Sequence, residues 1–462
     1  MRDDRLKGHG VSRTLLMAAL LGLIGCGCGL MTIPPAAAPA GEKWVASWSA
    51  STQGPYPSGN ASAQPVLDFA FEAPQRGARD QTLRQIIKPD RWGRVVRLHV
   101  ANTFGTRTVT FDDVFVGLQA VAAVIATGTN TKVTFNQGKT QVALSPSASA
   151  WSDPIALAFV SAADDPLLAG RKLSVSLHVV DATGPMTWHA KSLTTSYLTA
   201  PGAGSRGADP SDEAFPFTTT SWFFLDGLDV MAPEDTAVIA CFGDSITDGT
   251  ASTLNGDDRW PDVLSRRLHA AYGTRVSVVN AGIGGNRIVG PAVYAPDAPS
   301  GGGPSALARL DRDVLNLSGI SAIVWLEGIN DIAQGATADE VIAGMKEVVR
   351  RVRAHGGITI VGATLTSSVG SKTAHGTPGA EARRQAINTF IRANGGAGGL
   401  FDAVADFDTA TRDPSTGGLR AAFVPNSTIG GPGDALHPNR AGYQAMGQAV
   451  PLEPFVRPVA AK

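Results

Sequence analysis

Cysteine is scarce: the 462 residues hold three, with Cys26 and Cys28 inside the first 40 and Cys241 alone beyond them. Once a leader of that length is removed, no intrachain disulfide can form, and stability must come from the size of the core. Cys241 sits in an apolar run and reads as a small buried hydrophobe, not as a nucleophile. An excess of either charge is also lacking. The formal net charge of -1 gives no electrostatic case for nucleic acid or for an anionic membrane surface as a partner. There is no internal repeat and no Walker-type phosphate loop, and Gly282–Gly285 lacks the third glycine of a dinucleotide fingerprint. No second His or Cys stands at metal-ligand spacing near His437 and Asp434. Neither a metal nor another cofactor is therefore expected.

Long apolar runs are missing except for Thr14–Ile24, which is too short to span a bilayer. Arg2, Arg5, Lys7 and Arg13 precede that run, and Ala38-Pro39-Ala40 follows it. This pattern predicts a signal peptide over residues 1–40, with the mature chain starting near Gly41. Leu23-Ile24-Gly25-Cys26 is similar to a bacterial lipobox and offers a second reading, in which Cys26 carries a lipid. Both readings export the protein, either secreted or periplasmic, or lipid-anchored through Cys26. Neither leaves a transmembrane helix in the mature chain.

Hydrophobic content of 43% with 17% charged residues describes a globular protein, and the length predicts two domains. Residues 41–232 contain short strand-like segments: Lys43–Trp48, Thr82–Ile87, Arg94–Val100, Thr108–Val116, Lys132–Phe135, Gln141–Leu144 and Leu173–Val180. Alternation in Val95–Val100 and Leu173–His178, with frequent turn residues, predicts an antiparallel β-sandwich. Residues 236–456 have another rhythm. Apolar strands at Val238–Phe242, Val276–Asn280, Ala322–Leu326, Ile358–Ala363 and Ala403–Phe407 alternate with helical stretches at Trp260–Tyr272, Ser305–Leu315, Thr337–Ala354, Ala380–Ala393 and Arg440–Val450. Thr337 and Glu340 form a capping box. Near-continuous apolar strands separated by helices predict a parallel sheet covered on both faces, a three-layer α/β/α sandwich.

Gly243-Asp244-Ser245-Ile246-Thr247 follows the first of these strands directly. Ligands of such sheets sit beyond the carboxyl ends of the strands, so Ser245 lands where a site forms. A serine hydroxyl needs a base to become a nucleophile. Of eight histidines, His437 stands out, three residues after Asp434 and just before the last helix. That spacing lets a single turn bring carboxylate to imidazole. His99, His178 and His189 belong to the β half, His269 and His355 to helices, and His375 to a Gly/Ser/Thr-rich loop. Asn280–Asn286 and Gly328-Ile329-Asn330-Asp331 end the next two strands and offer backbone N–H groups and an amide to an oxyanion. Taken singly, each motif is equally a turn.

Together, in this order, the motifs from Val238 to Val450 resemble the SGNH hydrolases, also called GDSL esterases. The resemblance implies Ser245 as nucleophile with Asp434 and His437 completing the triad. It implies an oxyanion hole of Ser245 N–H, Gly285 N–H and the Asn330 side chain, supported by Gly243, Asp244, Gly328 and Asp331. Gly282 and Gly284 are neighbours that leave the glycine assignment soft. The Trp44–Trp48 opening and the Leu83–Pro89 segment are similar to two-domain bacterial members of that superfamily. Some carbohydrate esterases there carry a β-sandwich in front, which implies an acylated glycan as substrate and deacetylation as the reaction. Lipid esters, acyl transfer to a sugar, and glycan binding without catalysis are the alternatives. Trp188-His189 and Trp222 read either as a sugar platform or as core and interdomain packing. Every group the chemistry needs lies between Ser245 and His437, so the β half is expected to be structural and substrate-positioning.

Overall fold

Apolar alternation becomes strand pairing as soon as the described residues begin. A computed structural model describes residues 40–73, 76–295 and 297–455. The expected signal peptide, its competing lipobox at Cys26 and nearly all of residues 1–40 lie outside the described residues. The N-terminal region is antiparallel and β-rich. Its principal strands are β1 (Glu42–Ser49), β2 (Gln81–Ile87), β3 (Val95–Ala101), β4 (Val109–Val121), β5 (Leu173–Val179), β6 (Thr187–His189), β7 (Ser196–Leu198) and β8 (Leu225–Pro233). One sheet contains β1, β8 and β3 in that order, and another runs through β7, β2, β5 and β4. Val96, Leu98 and Val100 point into the core on alternate positions, as do Leu173, Val175 and Leu177.

Alternation in β2 and β5 does not leave a wet face, because both strands are buried along their whole length. The polar side is sealed by hydrogen bonds instead. Arg84 in β2 donates to Ser176 Oγ and to the carbonyls of Ala123, Arg206, Asp209 and Ser211. Burial lowers that guanidinium to about 10, and five acceptors are what makes its burial tolerable.

After Pro233 the pairing turns parallel. β9 (Ala237–Gly243), β10 (Val276–Gly282), β11 (Ile320–Leu326), β12 (Thr359–Ala363) and β13 (Ala403–Ala405) form one parallel sheet in the order β10-β9-β11-β12-β13. β9 is buried throughout, which explains its continuous apolar run. The helices are α1 (Ser245–Asp248), α2 (Trp260–Tyr272), α3 (Ala306–Leu310), α4 (Ile329–Ala333), α5 (Ala338–His355), α6 (Pro378–Ala393), α7 (Phe407–Thr411) and α8 (Arg440–Ala449). Thr337 and Glu340 make the capping box that starts α5, with Oγ1 and carboxylate each bonded to the other's backbone N–H. The stretch expected as one helix over Ser305–Leu315 divides into α3 and a π-turn at Asp311–Leu315. The short helices α1, α4 and α7 have too few residues to show a period. Among the described residues no helix is long and apolar enough to cross a membrane.

One apolar core runs through both kinds of sheet. β10 is the outer strand of the parallel sheet, and the N-terminal region covers it. Val278 N–H donates to the Asp90 carboxylate at 2.6 Å, and Ser277 Oγ donates to Ala46 O at 2.7 Å. A strand edge that would otherwise face solvent is closed by this contact.

Candidate active site

Ser245 opens α1 at the carboxyl end of β9. Gly243, the last residue of β9, has no room for a side chain: a Cβ there would lie 2.2 Å from Leu326 O and 2.4 Å from Thr247 Oγ1. Asp244 caps α1, its Oδ1 accepting from Ile246 N–H at 2.9 Å. Ser245 is only 4% exposed, and its Oγ lies 2.9 Å from His437 Nε2. His437 Nδ1 in turn lies 2.6 Å from Asp434 Oδ2. The chain thus brings together residues 192 positions apart in sequence. Asp434 Oδ1 also accepts from the N–H groups of Leu436 and His437, which locks the turn between the two residues. Burial alone would raise the Asp434 carboxyl, but the His437 ring and these N–H groups hold it well below the usual carboxylate range.

The glycine turn after β10 presents several N–H groups, and most are engaged. Gly282 N–H donates to Asn280 Oδ1 and Gly284 N–H to Asp248 Oδ2, both at 2.9 Å. Among the described residues, the Gly285 N–H and the N–H of Ser245, first in its helix, form no such bond. Gly285 has φ +81, a conformation that side-chain-bearing residues rarely adopt. Asn330, in α4, donates from Nδ2 to Asn286 O at 2.9 Å, which leaves a second amide hydrogen. Gly328 precedes α4, and Asp331 accepts from Ile288 and Val289 N–H at 2.9 Å each, pinning the glycine turn from the other side.

His375 is a neighbour that the composition of its loop did not mark. Its Nε2 lies 3.1 Å from Asn330 Oδ1, and its Nδ1 lies 2.9 Å from Thr373 Oγ1. An amide oxygen only accepts, so Nε2 carries the hydrogen and Thr373 donates to Nδ1. Burial, with His437 nearby, lowers the His375 ring, consistent with a neutral imidazole. The available signal was position, because its loop leaves the carboxyl end of β12. Trp188, His189 and Trp222 are buried, and both indoles donate to carbonyls, Trp188 to Ser58 O and Trp222 to Ile86 O. They pack and offer no platform to a sugar. Cys241 is likewise buried.

Arg309 lies buried among carboxylates at the ends of β9 and β10. Arg309 donates to Gly243 O, Ala281 O, Asn286 Oδ1 and Asp313 Oδ2, tying the ends of β9 and β10 together. Its Nη2 is 3.8 Å from Glu327 Oε1, and Trp325 Nε1 donates to Glu327 Oε2 at 3.0 Å. Burial pushes the Glu327 carboxyl up to about 8, against Arg309 and Trp325, and Asp244 and Asp331 push the same way. Its folded value lies above the ordinary 4.5, so the stability tied to the protonated form is full below that pH and is lost as pH rises toward about 8. Glu327→Gln cannot titrate. Its stability relative to the native chain should rise between pH 5 and pH 9 by a few kcal/mol, at about 1.4 kcal/mol per pK unit. A difference in Tm that stays flat across that range overturns this account of Glu327.

Among the described residues, no group of three or more His, Cys, Asp or Glu side chains is arranged to hold a metal. What remains is a hydroxyl, an imidazole and a carboxylate in line, with the N–H groups of Ser245 and Gly285 unengaged among the described residues. Such a set can transfer an acyl group through a covalent serine intermediate.

Residues 241–445 match the model of the GDSL-like lipase/acylhydrolase family, a stretch just short of half the chain. No curated protein matches the chain significantly. Similar solved structures include a carbohydrate acetylesterase family member from Sinorhizobium meliloti, 20% identical over 46% of this chain and 95% of that one, with a TM-score of 0.35. The native aryl esterase of M. smegmatis is 16% identical over 46% of this chain and 96% of its own, with a TM-score of 0.33. A GDSL-like lipase from Bacteroides thetaiotaomicron is 15% identical over 47% and 85%, with a TM-score of 0.32.

Proposed function

We propose, from the premise that residues 241–445 are a GDSL-like lipase/acylhydrolase domain and the protein an ester-bond hydrolase, that it is a serine esterase working through an acyl-enzyme. The observation that carries this reading is the unbroken line from Ser245 Oγ through His437 to Asp434, at 2.9 and 2.6 Å. Ser245 Oγ attacks the carbonyl carbon while His437 Nε2 takes its proton. The carbonyl oxygen becomes an oxyanion held by Ser245 N–H, Gly285 N–H and the second Asn330 amide hydrogen. Collapse expels the alcohol, which takes the proton from His437. Water, deprotonated by the same imidazole, then releases the acid and restores Ser245.

Asn330→Ala should lower kcat by roughly 10²–10³ with KM less affected, the signature of a lost oxyanion donor. His375→Ala should lower kcat by less, because it frees the carboxamide to turn but leaves it in place. A rise in KM alone for Asn330→Ala would make that residue a substrate contact instead.

For substrate, an acylated glycan is favoured, with removal of acetyl as the reaction. The surroundings support it: exposed Asn60 stands beside Gly285, His375 bonds Asn330, and Thr373 bonds His375 in turn. A lipid ester is the second reading, supported by Val293 and Ile429, which lie 82% and 74% exposed in the loops 284–304 and 424–433. Initial rates on acetylated xylan and peracetylated sugars against long-chain nitrophenyl esters decide between them. A preference for the long chains overturns the glycan reading, and an export leader over residues 1–40 fits either substrate.

A further inference from the structure

The β half reaches the back of the oxyanion turn. Lys191 follows β6, is fully buried, and its Nζ hydrogen-bonds Thr250 Oγ1. The same Nζ lies 2.9 Å from where a Cβ on Gly284 would stand. Beside it is Asp248, the last residue of α1, which is 1% exposed and accepts the Gly284 N–H on Oδ2. Asp248 Oδ1 lies 3.1 Å from His189 Nε2, also from the β half. The Oδ1 makes no well-directed hydrogen bond. Both ring nitrogens of His189 face acceptors, Ser51 O on one side and Lys191 O with Asp248 on the other.

This arrangement sets a difficulty and its answer side by side. Asp248 fixes the Ile283–Gly284 peptide, one residue before Gly285, but a buried carboxylate close to a developing oxyanion repels it, and burial leaves that repulsion weakly screened. A cation at the same spot cancels that field. Burial lowers the Lys191 ammonium, Arg259 lowers it further, and Asp248 first among the carboxylates supports it. Burying such a cation is costly; among the described residues its Nζ bonds Thr250 Oγ1 and makes no ion-pair contact, so Asp248 acts on it at longer range, across the Gly284 turn.

We infer that Lys191, supplied by the β half, is a positioning residue of the oxyanion site: it neutralises Asp248, so that the carboxylate can hold the Gly284–Gly285 turn without opposing the charge that forms in front of it. The inference rests on the esterase reading of Ser245, His437 and Asp434. It also places within the β half a residue that the chemistry uses, where the sequence showed none.

The test is a charge-balanced double variant, assayed on nitrophenyl acetate alongside Ser245→Ala. Lys191→Met keeps the apolar stem and removes the charge. It should lower kcat about 10- to 100-fold with KM within about twofold, as expected of one uncompensated charge near the reacting atoms. Adding Asp248→Asn removes the charge that Lys191 answers while keeping an acceptor for Gly284 N–H, and should restore at least tenfold of the loss. If Lys191→Met alone does not fold, the double variant still decides: folded and active, it supports compensation. A folded double variant no faster than the single, or a single variant that changes KM only, overturns the inference. Activity that survives in Ser245→Ala overturns the esterase reading itself, and so separates the two failures.

Discussion

Ser245→Ala is expected to lose about 10⁴- to 10⁶-fold in kcat on a short nitrophenyl ester while keeping the native fold, because the attacking atom itself is gone. The hydroxyl that is removed is nearly buried and bonded to His437 at 2.9 Å. An alanine fits the same space and leaves Asp244 capping α1 through Ile246 N–H, so thermal stability should change little. Residual rate should then come from the oxyanion donors and substrate positioning alone. The assay must use protein free of contaminating esterase, with the lost burst of nitrophenol as the second readout. Near-native turnover in a pure sample removes Ser245 from the mechanism, and with it the proposed acyl-enzyme.

The legible parts of the site share a physical reason. Ser245, Asn330 and the glycine turn each come directly after an apolar run that is buried on both faces, as β9 shows along its whole length. Such runs stand out in sequence, and the residues at their carboxyl ends must lie at one edge of the sheet. Asp434 and His437 are legible because their interaction is local, closed within one turn. His375, Lys191 and Asn60 were not legible as site neighbours. Lys191 meets Thr250 across 59 positions, and no local pattern records that meeting. Arg309 and Arg84 mislead in the opposite direction. Long cationic side chains usually signal surface, yet each is fully buried because backbone carbonyls from distant segments converge on it.

A chain beginning at Pro233 should fail to give a soluble, active esterase. Read from sequence, the parallel-sheet half is about 220 residues, an ordinary domain size, and should bury its own core. The packing points the other way. Without residues 41–232, β10 loses Asp90 from Val278 N–H and Ala46 from Ser277 Oγ, and its edge is opened. His269 loses Asp90 at 2.9 Å, Arg312 loses Thr52 O at 2.7 Å, and Ser318 loses both Ala46 N–H and Asp229. These groups exchange protein partners for water, at a net loss of about 0.5–1.5 kcal/mol each, and several such losses are a large share of an ordinary domain's stability. Apolar surface of the shared core is exposed at the same time. Lys191 and His189 leave too, so Asp248 is left facing the oxyanion turn with no cation from the β half. Expression of residues 233–455 should therefore yield aggregate, and any refolded monomer should be at least 10²-fold slower than the longer chain on nitrophenyl acetate. Supplying residues 41–232 as a separate chain should recover part of both solubility and rate, because the missing partners are returned. A monodisperse 233–455 protein with native kcat would show that the β half is dispensable to both the fold and the chemistry.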